Sequence, residues 1–263
     1  MLFDKMNQYQ LKTDSKNLKD LQHTNGKRLD EHLGYNCSGI PIYCAPGIHE
    51  AAFSMVEDLH LKKDSQILIL GAGAGAFDQR LLDHGFSNIT AVEFIKDVYK
   101  VSGTKLYDLD LNQDFAHLGK YELVVALEII EHLENQFHFI REIKKSLTST
   151  GHLILSSPNV ESSFARVKYF LLGRLHFFSY EELYWTGHIN PIFRHILDFN
   201  LAQSNLKILE IQGDGSLWGN LIFKYPNFIM RFIYFFFYLV SCLEIRKGKE
   251  HNHNINIFLI GQK

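Results

Sequence analysis

Cysteine is scarce in this chain. Cys37, Cys44 and Cys242 are the only three in 263 residues, an odd number without metal-site spacing, which excludes a disulfide framework and makes a reducing cytoplasm the expected compartment. An excess of one charge is lacking too: 27 basic residues face 29 acidic ones for a formal net charge of -2, so no global field draws the chain toward nucleic acid. The amino-terminal stretch MLFDKMNQYQLKTDSKNLKD has neither the apolar core nor the small-residue cleavage site of a secretion signal. Repeats and low-complexity tracts are missing, apart from the short polar cluster RKGKEHNHN at 246–254. The most apolar run, 228–243, is sixteen residues long and contains Arg231, which is short of the ~20 residues that span a bilayer.

What is present is an ordinary globular composition, 46% hydrophobic and 21% charged, at a length that suits one α/β domain carrying insertions. Residues 1–44 read as an arm or lid, and 45–263 as the domain. Strand and helix signals then alternate. The run ILIL at 67–70 leads into GAGAGAF at 71–77 and a helical stretch closed by Gly85. Short strands are expected at 89–94 and 105–107, followed by the acidic segment DLDLNQD. YELVVALE at 121–128 suits a strand buried on both faces, and 134–149 carries a helical period. HLILSSP at 152–158 reads as a fifth strand, 161–175 and 192–203 as helices, and 206–212 and 254–261 as the last strands. The additions at about 160–205 and the apolar aromatic segment at about 217–245 fall outside the plain alternation.

Gly71, Gly73 and Gly75 stand where a buried strand turns into a helix, which lets a ligand approach the main chain closely. Glu93, some twenty residues later at a strand tip, is placed to accept both hydroxyls of a ribose. These two features fit any adenosine-containing cofactor, a dinucleotide included.

Three further segments narrow the choice. DLDLNQDF, YELVVALEIIEHLEN and GHLILSSPN, in that order after the glycine turn, resemble the acidic loop, fourth-strand and fifth-strand motifs of class I S-adenosylmethionine-dependent methyltransferases, the ubiquinone-biosynthesis-like group related to methyltransferase types 11 and 23. The resemblance runs over about 45–212. It implies a Rossmann-like α/β fold with a seven-stranded, mostly parallel sheet, helices on both faces and an antiparallel last strand. It also implies S-adenosyl-L-methionine as cofactor. By position, Gly71, Ala72, Gly73 and Gly75 would wrap its methionine part, Glu93 and Phe94 would meet the ribose, and Asp110 with Leu111 the adenine, with Asp108 a competitor for that last role. Leu127 and Glu128 would border the transferred methyl. One departure stands out: where the family has an acidic residue two positions before the first glycine, this chain has Ile69. The departure leaves a non-catalytic cofactor-binding protein as an alternative reading.

Methyl transfer from a sulfonium is a direct displacement, so an oxygen acceptor needs alignment and a base or metal to take its proton. Glu128, Glu131 and His132 form an ExxEH group resembling the metal site of quinone-forming O-methyltransferases and of small-RNA 2′-O-methyltransferases, which a later histidine completes; His188 is the candidate here. The alternative is that EHL opens the following helix, Glu131 near its amino end, leaving His132 and His188 with Glu128 as catalytic candidates without a metal. The near-neutral charge and the lack of a basic, aromatic-lined stripe argue against RNA and for a small-molecule or lipid-linked acceptor. The aromatic run 234–237 within 228–245 suits a cleft cap, an oligomer interface or a peripheral membrane contact.

Overall fold

The computed structural model describes residues 36–213 and 255–262. Most of the expected amino-terminal arm, and the apolar segment at about 217–245 read as a cleft cap, an oligomer interface or a membrane contact, lie outside the described residues. A short hairpin, β1 Asn36–Cys37 with β2 Ile40–Pro41, leads into α1, Ile48–Asp58. Seven strands then form one sheet: β3 Gln66–Leu70, β4 Asn88–Glu93, β5 Lys105–Asp108, β6 Tyr121–Ala126, β7 Leu147–Pro158, β8 Leu206–Gly213 and β9 Ile255–Gln262. The helices between them are α2 Ala76–Asp83, α3 Gln136–Ser146, α4 Ser163–Leu172, α5 Tyr180–Trp185 and α6 Arg194–Gln203.

The strand order is β5-β4-β3-β6-β7-β9-β8. Neighbours from β5 through β7 are parallel, and β9 runs antiparallel to both β7 and β8. After β5 the chain crosses back to the other side of β3, so β3 and β6 flank the point where the winding reverses. In such sheets a crevice opens there, beyond the carboxyl ends of the strands.

Alternate residues of the central strands feed two cores, which is why their sequences read as unbroken apolar runs. Leu68, Leu70, Val124 and Ala126 join Phe115, Phe139, Ile140 and Ile143 on one face. Ile67, Ile69, Leu123 and Val125 join Ile48, Met55, Phe77 and Leu81 on the other, under α1 and α2.

The expected helix at 134–149 is shorter than its period suggested. It starts at Gln136, capped by Asn135 Oδ1 accepting the amide of His138 at 2.9 Å, and stops at Ser146, because Leu147 already pairs with Tyr121 in the sheet. Helix α1 carries a clear pattern, with Ile48, Ala52, Phe53, Met55 and Val56 buried, yet the sequence reading passed over it. The same is true of α5, whose Ser179 and Glu182 form a reciprocal capping box.

Asp78 is fully buried in the first turn of α2, where its Oδ1 accepts from the Tyr99 hydroxyl at 3.0 Å and its Oδ2 has no hydrogen-bond partner. Burial pushes its carboxyl up to about 7. Since the folded protein keeps this proton and an unfolded carboxyl near 3.8 does not, the group costs stability as pH rises from about 4 to about 7. Asp78→Asn retains an acceptor for Tyr99, so its stability gain over the wild type should grow by up to about 1.4 kcal/mol per pH unit across that window and level off above it. Urea denaturation at pH 5 and pH 8 measures the gain; an equal gain at both values contradicts the assignment. His49, His132 and His176 have the opposite effect. Burial pushes each down to about 4, so the fold holds them uncharged, and their contribution is lost as pH falls from about 6.5 toward 4.

Candidate active site

A cavity of about 440 Å³ opens at the crevice beyond β3, β4 and β6, within the size range of small-molecule sites. Its floor is the glycine turn. Gly71 and Gly75 take left-handed φ values of 71° and 88°, and side chains there would also collide with the protein itself. A Cβ on Gly71 would stand 2.8 Å from Ile129, and one on Gly75 2.5 Å from Val101. The main-chain amides of the turn are largely committed within the protein. Gly71 and Ala72 donate to Val92 O at 3.0 Å, Gly75 to Ala72 O at 2.9 Å, and Gly73 to Glu93 Oε2 at 2.8 Å. The turn therefore offers a ligand a bare, closely approachable surface more than a ring of donors.

Glu93 ends β4 with both oxygens engaged, Oε2 by Gly73 N and Oε1 by Ile95 N at 2.9 Å. Burial raises its pKa against the pull of these bonds. A carboxylate has about four lone-pair positions, so each oxygen keeps one for a ribose hydroxyl. Phe94, Asp110 and Leu111 line the same cavity. Asp108 pairs in register with Glu93 and is exposed away from the cavity wall, which favours Asp110 of the two competitors. Asp110 Oδ1 holds its own loop, accepting from the Asn112 amide at 2.9 Å and from Asn112 Nδ2 at 3.0 Å. A carboxylate tip, apolar walls and a floor of glycine and alanine fit an adenosyl sulfonium.

Leu127, Glu128 and Ile129, after β6, form the facing wall. Glu128 adopts φ 51°, a strained left-handed conformation for a residue with a side chain. Ser156 on β7 holds it there: the hydroxyl accepts the Glu128 amide at 2.9 Å and donates to Glu128 Oε1 at 2.9 Å. The sequence reading had no signal for Ser156, because its pairing depends on the β6–β7 register.

Glu131 is not at a helix amino end. It lies in a single 3-10 turn, Ile130–His132, fully buried, and neither carboxyl oxygen has a hydrogen-bond partner. Burial, and then the neighbouring Glu128 charge, push its pKa well above the ordinary carboxylate range. Its main-chain carbonyl accepts from the amides of Ile189 and Asn190 at 3.0 and 2.9 Å, which pins the stretch after α5 onto the turn. His188 is thereby brought against His132, ring centroids 4.8 Å apart and nearly perpendicular. Ligand atoms of Glu131, His132 and His188 all lie within 4.8 Å of one another. Glu128, expected as a fourth member, stands outside that group. His188 Nδ1 lies 2.8 Å from Phe177 O, and since a carbonyl only accepts, Nδ1 carries the proton and Nε2 the lone pair. Burial lowers the His188 pKa, against that carbonyl and Glu182.

Other lining residues escaped the sequence reading: Tyr43, Cys44 and His49 from the amino-terminal side, and Phe177, Trp185 and Thr186 around α5. The pattern of α1 and the capping box of α5 were the available signals.

A methyltransferase-domain family model matches residues 43–210. The chain is 31% identical over 104 residues to a ubiquinone biosynthesis O-methyltransferase of Rickettsia typhi, a match covering 36% of this chain and 41% of that protein. It thus spans about two fifths of the curated relative's length. A SAM-dependent methyltransferase structure from Archaeoglobus fulgidus superposes with TM-score 0.52 at 14% identity, over 82% of this chain and 94% of that one. The cyclase SpnF superposes with TM-score 0.56 at 13% identity, over 92% of this chain and 94% of that one. At such identities these two likenesses show the fold alone, and one of them belongs to an enzyme named for a different reaction. With the seven-stranded sheet, the glycine-floored cleft and a family model covering most of the domain in agreement, the chain belongs to the methyltransferase-domain family.

Proposed function

We propose that the protein methylates an oxygen of a small-molecule or lipid-linked aromatic acceptor, with Gly71, Ala72, Gly73, Gly75, Glu93, Phe94, Asp110, Leu111, Leu127 and Glu128 around the cofactor and His188 as general base. The carrying observation is the 2.8 Å contact of His188 Nδ1 with Phe177 O, which assigns the ring proton to Nδ1 and leaves Nε2 to accept one. His132, pushed down to about 4 by burial and then by His188, serves as the ring against which His188 is set. Phe177 and Trp185 give the cavity flat apolar walls suited to an aromatic ring. The name of the Rickettsia typhi relative, an O-methyltransferase, supports oxygen as the acceptor atom. S-adenosylmethionine supplies the methyl group on a sulfonium. The chain supplies alignment of the acceptor and a place for its proton.

A second reading has its own observation. Glu131 is a buried carboxyl with both oxygens unpartnered, beside two imidazoles, and this donor set fits a divalent cation. Glu131, His132 and His188 would hold it, and the ion would lower the acceptor hydroxyl's pKa.

The test is product formation with paired aromatic acceptors, 3,4-dihydroxybenzoate and its prenylated form against the corresponding diamino compounds. Methylation of the diols alone is expected; methylation of the amines alone would overturn the proposal. His188→Ala should lower turnover about 10²- to 10⁴-fold while S-adenosylhomocysteine affinity stays within about twofold. Dialysis against a chelator separates the two readings: activity that survives chelation and is unchanged by added magnesium or zinc leaves His188 as the base, and activity restored only by the ion assigns the trio to the metal.

A further inference from the structure

Ile69 raises a question that the cleft itself answers. The alternation of β3 turns Ile69 toward the face covered by α1 and α2, where it packs in one cluster with Ile48 and Phe77 and also lines the cavity. A hydrocarbon there can neither donate nor accept, so a zwitterionic amino-acid group arriving at this end of the cavity needs a polar partner from another element.

Helix α1 brings one. His49, its second residue, lines the same cavity and is only 8% exposed. Its ring stands edge-on to Phe77 with centroids 5.2 Å apart, and Phe77 offers it no polar atom. His49 Nδ1 is buried without a hydrogen-bond partner. A buried ring nitrogen left unmatched carries the full cost of its desolvation, and native structures rarely retain one without a use for it. Burial and then the nearby Arg80 push the ring down to about 4, so at neutral pH it is uncharged and presents one donor and one acceptor. Arg80 and Glu50 neutralise each other beside it through a 2.6 Å ion pair.

We infer that His49 holds the amino-acid end of the cofactor, from the face on which Ile69 provides no polar group. The inference rests on the reading of this cleft as the S-adenosylmethionine site. It makes His49 a binding residue, separate from the acceptor-side trio, and it explains how the chain dispenses with an acidic residue at position 69.

Isothermal titration calorimetry with two probes tests this without any acceptor. S-adenosylhomocysteine carries the amino-acid end; 5′-methylthioadenosine keeps the adenosine and thioether and lacks that end. His49→Phe should weaken S-adenosylhomocysteine at least about tenfold, the order expected for losing a hydrogen bond to a charged group, and leave 5′-methylthioadenosine within about twofold. His49→Gln, which restores a donor and an acceptor, should recover most of the loss. Unchanged affinity of His49→Phe for S-adenosylhomocysteine overturns the inference, as does an equal loss for both probes, which would mark a distorted cleft. If the wild type binds neither probe, the cofactor-site reading fails and this inference with it.

Discussion

The contact of Gly71 with Ile129 is the constraint on which the cleft depends. The turn after β3 and the turn after β6 meet at a separation that leaves no room for a Cβ, and this close approach joins the glycine floor of the cavity to the wall formed by Leu127, Glu128 and Ile129. From Ile129 the chain runs directly into the buried 3-10 turn of Glu131 and His132. A shift of that one contact would therefore move both halves of the site relative to each other, and transfer between two bound partners tolerates little misplacement.

Around this contact the protein has placed several unsatisfied or strained groups. Glu128 sits at left-handed φ and is held by Ser156, Glu131 has a carboxyl without hydrogen bonds, His49 has an unpartnered nitrogen, and Asp78 keeps one oxygen unmatched under the glycine turn. The central strands β3 and β6 are apolar on both faces, and the two cores they feed supply the stability that lets such groups persist. All but Asp78 belong to residues that line the cavity or adjoin its wall, which is the expected distribution when polar cost is retained for ligands.

The resemblance implies that Gly71, Ala72, Gly73 and Gly75 wrap a cofactor, and the amides of these four donate within the protein, to Val92, Glu93 and Ala72. Glu93 thus has two tasks, tying the turn to β4 and lining the cavity. In the same way EHL, which resembles a helix opening when read along the chain, becomes a buried turn because the carbonyl of Glu131 is needed to receive Ile189 and Asn190.

Taken alone, the order of residues determined the strands, the glycine turn, Glu93 and the EIIEHL group, because apolar periodicity and glycine conformation are local properties that survive reading along one dimension. It also exposed Ile69 as a gap without indicating what fills it. Tertiary structure decided the partners: that Asp110 and not Asp108 faces the cavity, that Ser156 holds Glu128, that His188 crosses from after α5 to meet His132, and that His49 arrives beside Ile69. Each of these depends on sheet register or on helices packed from distant parts of the chain, and such pairings have no signature in the spacing of residues until the two cores have closed.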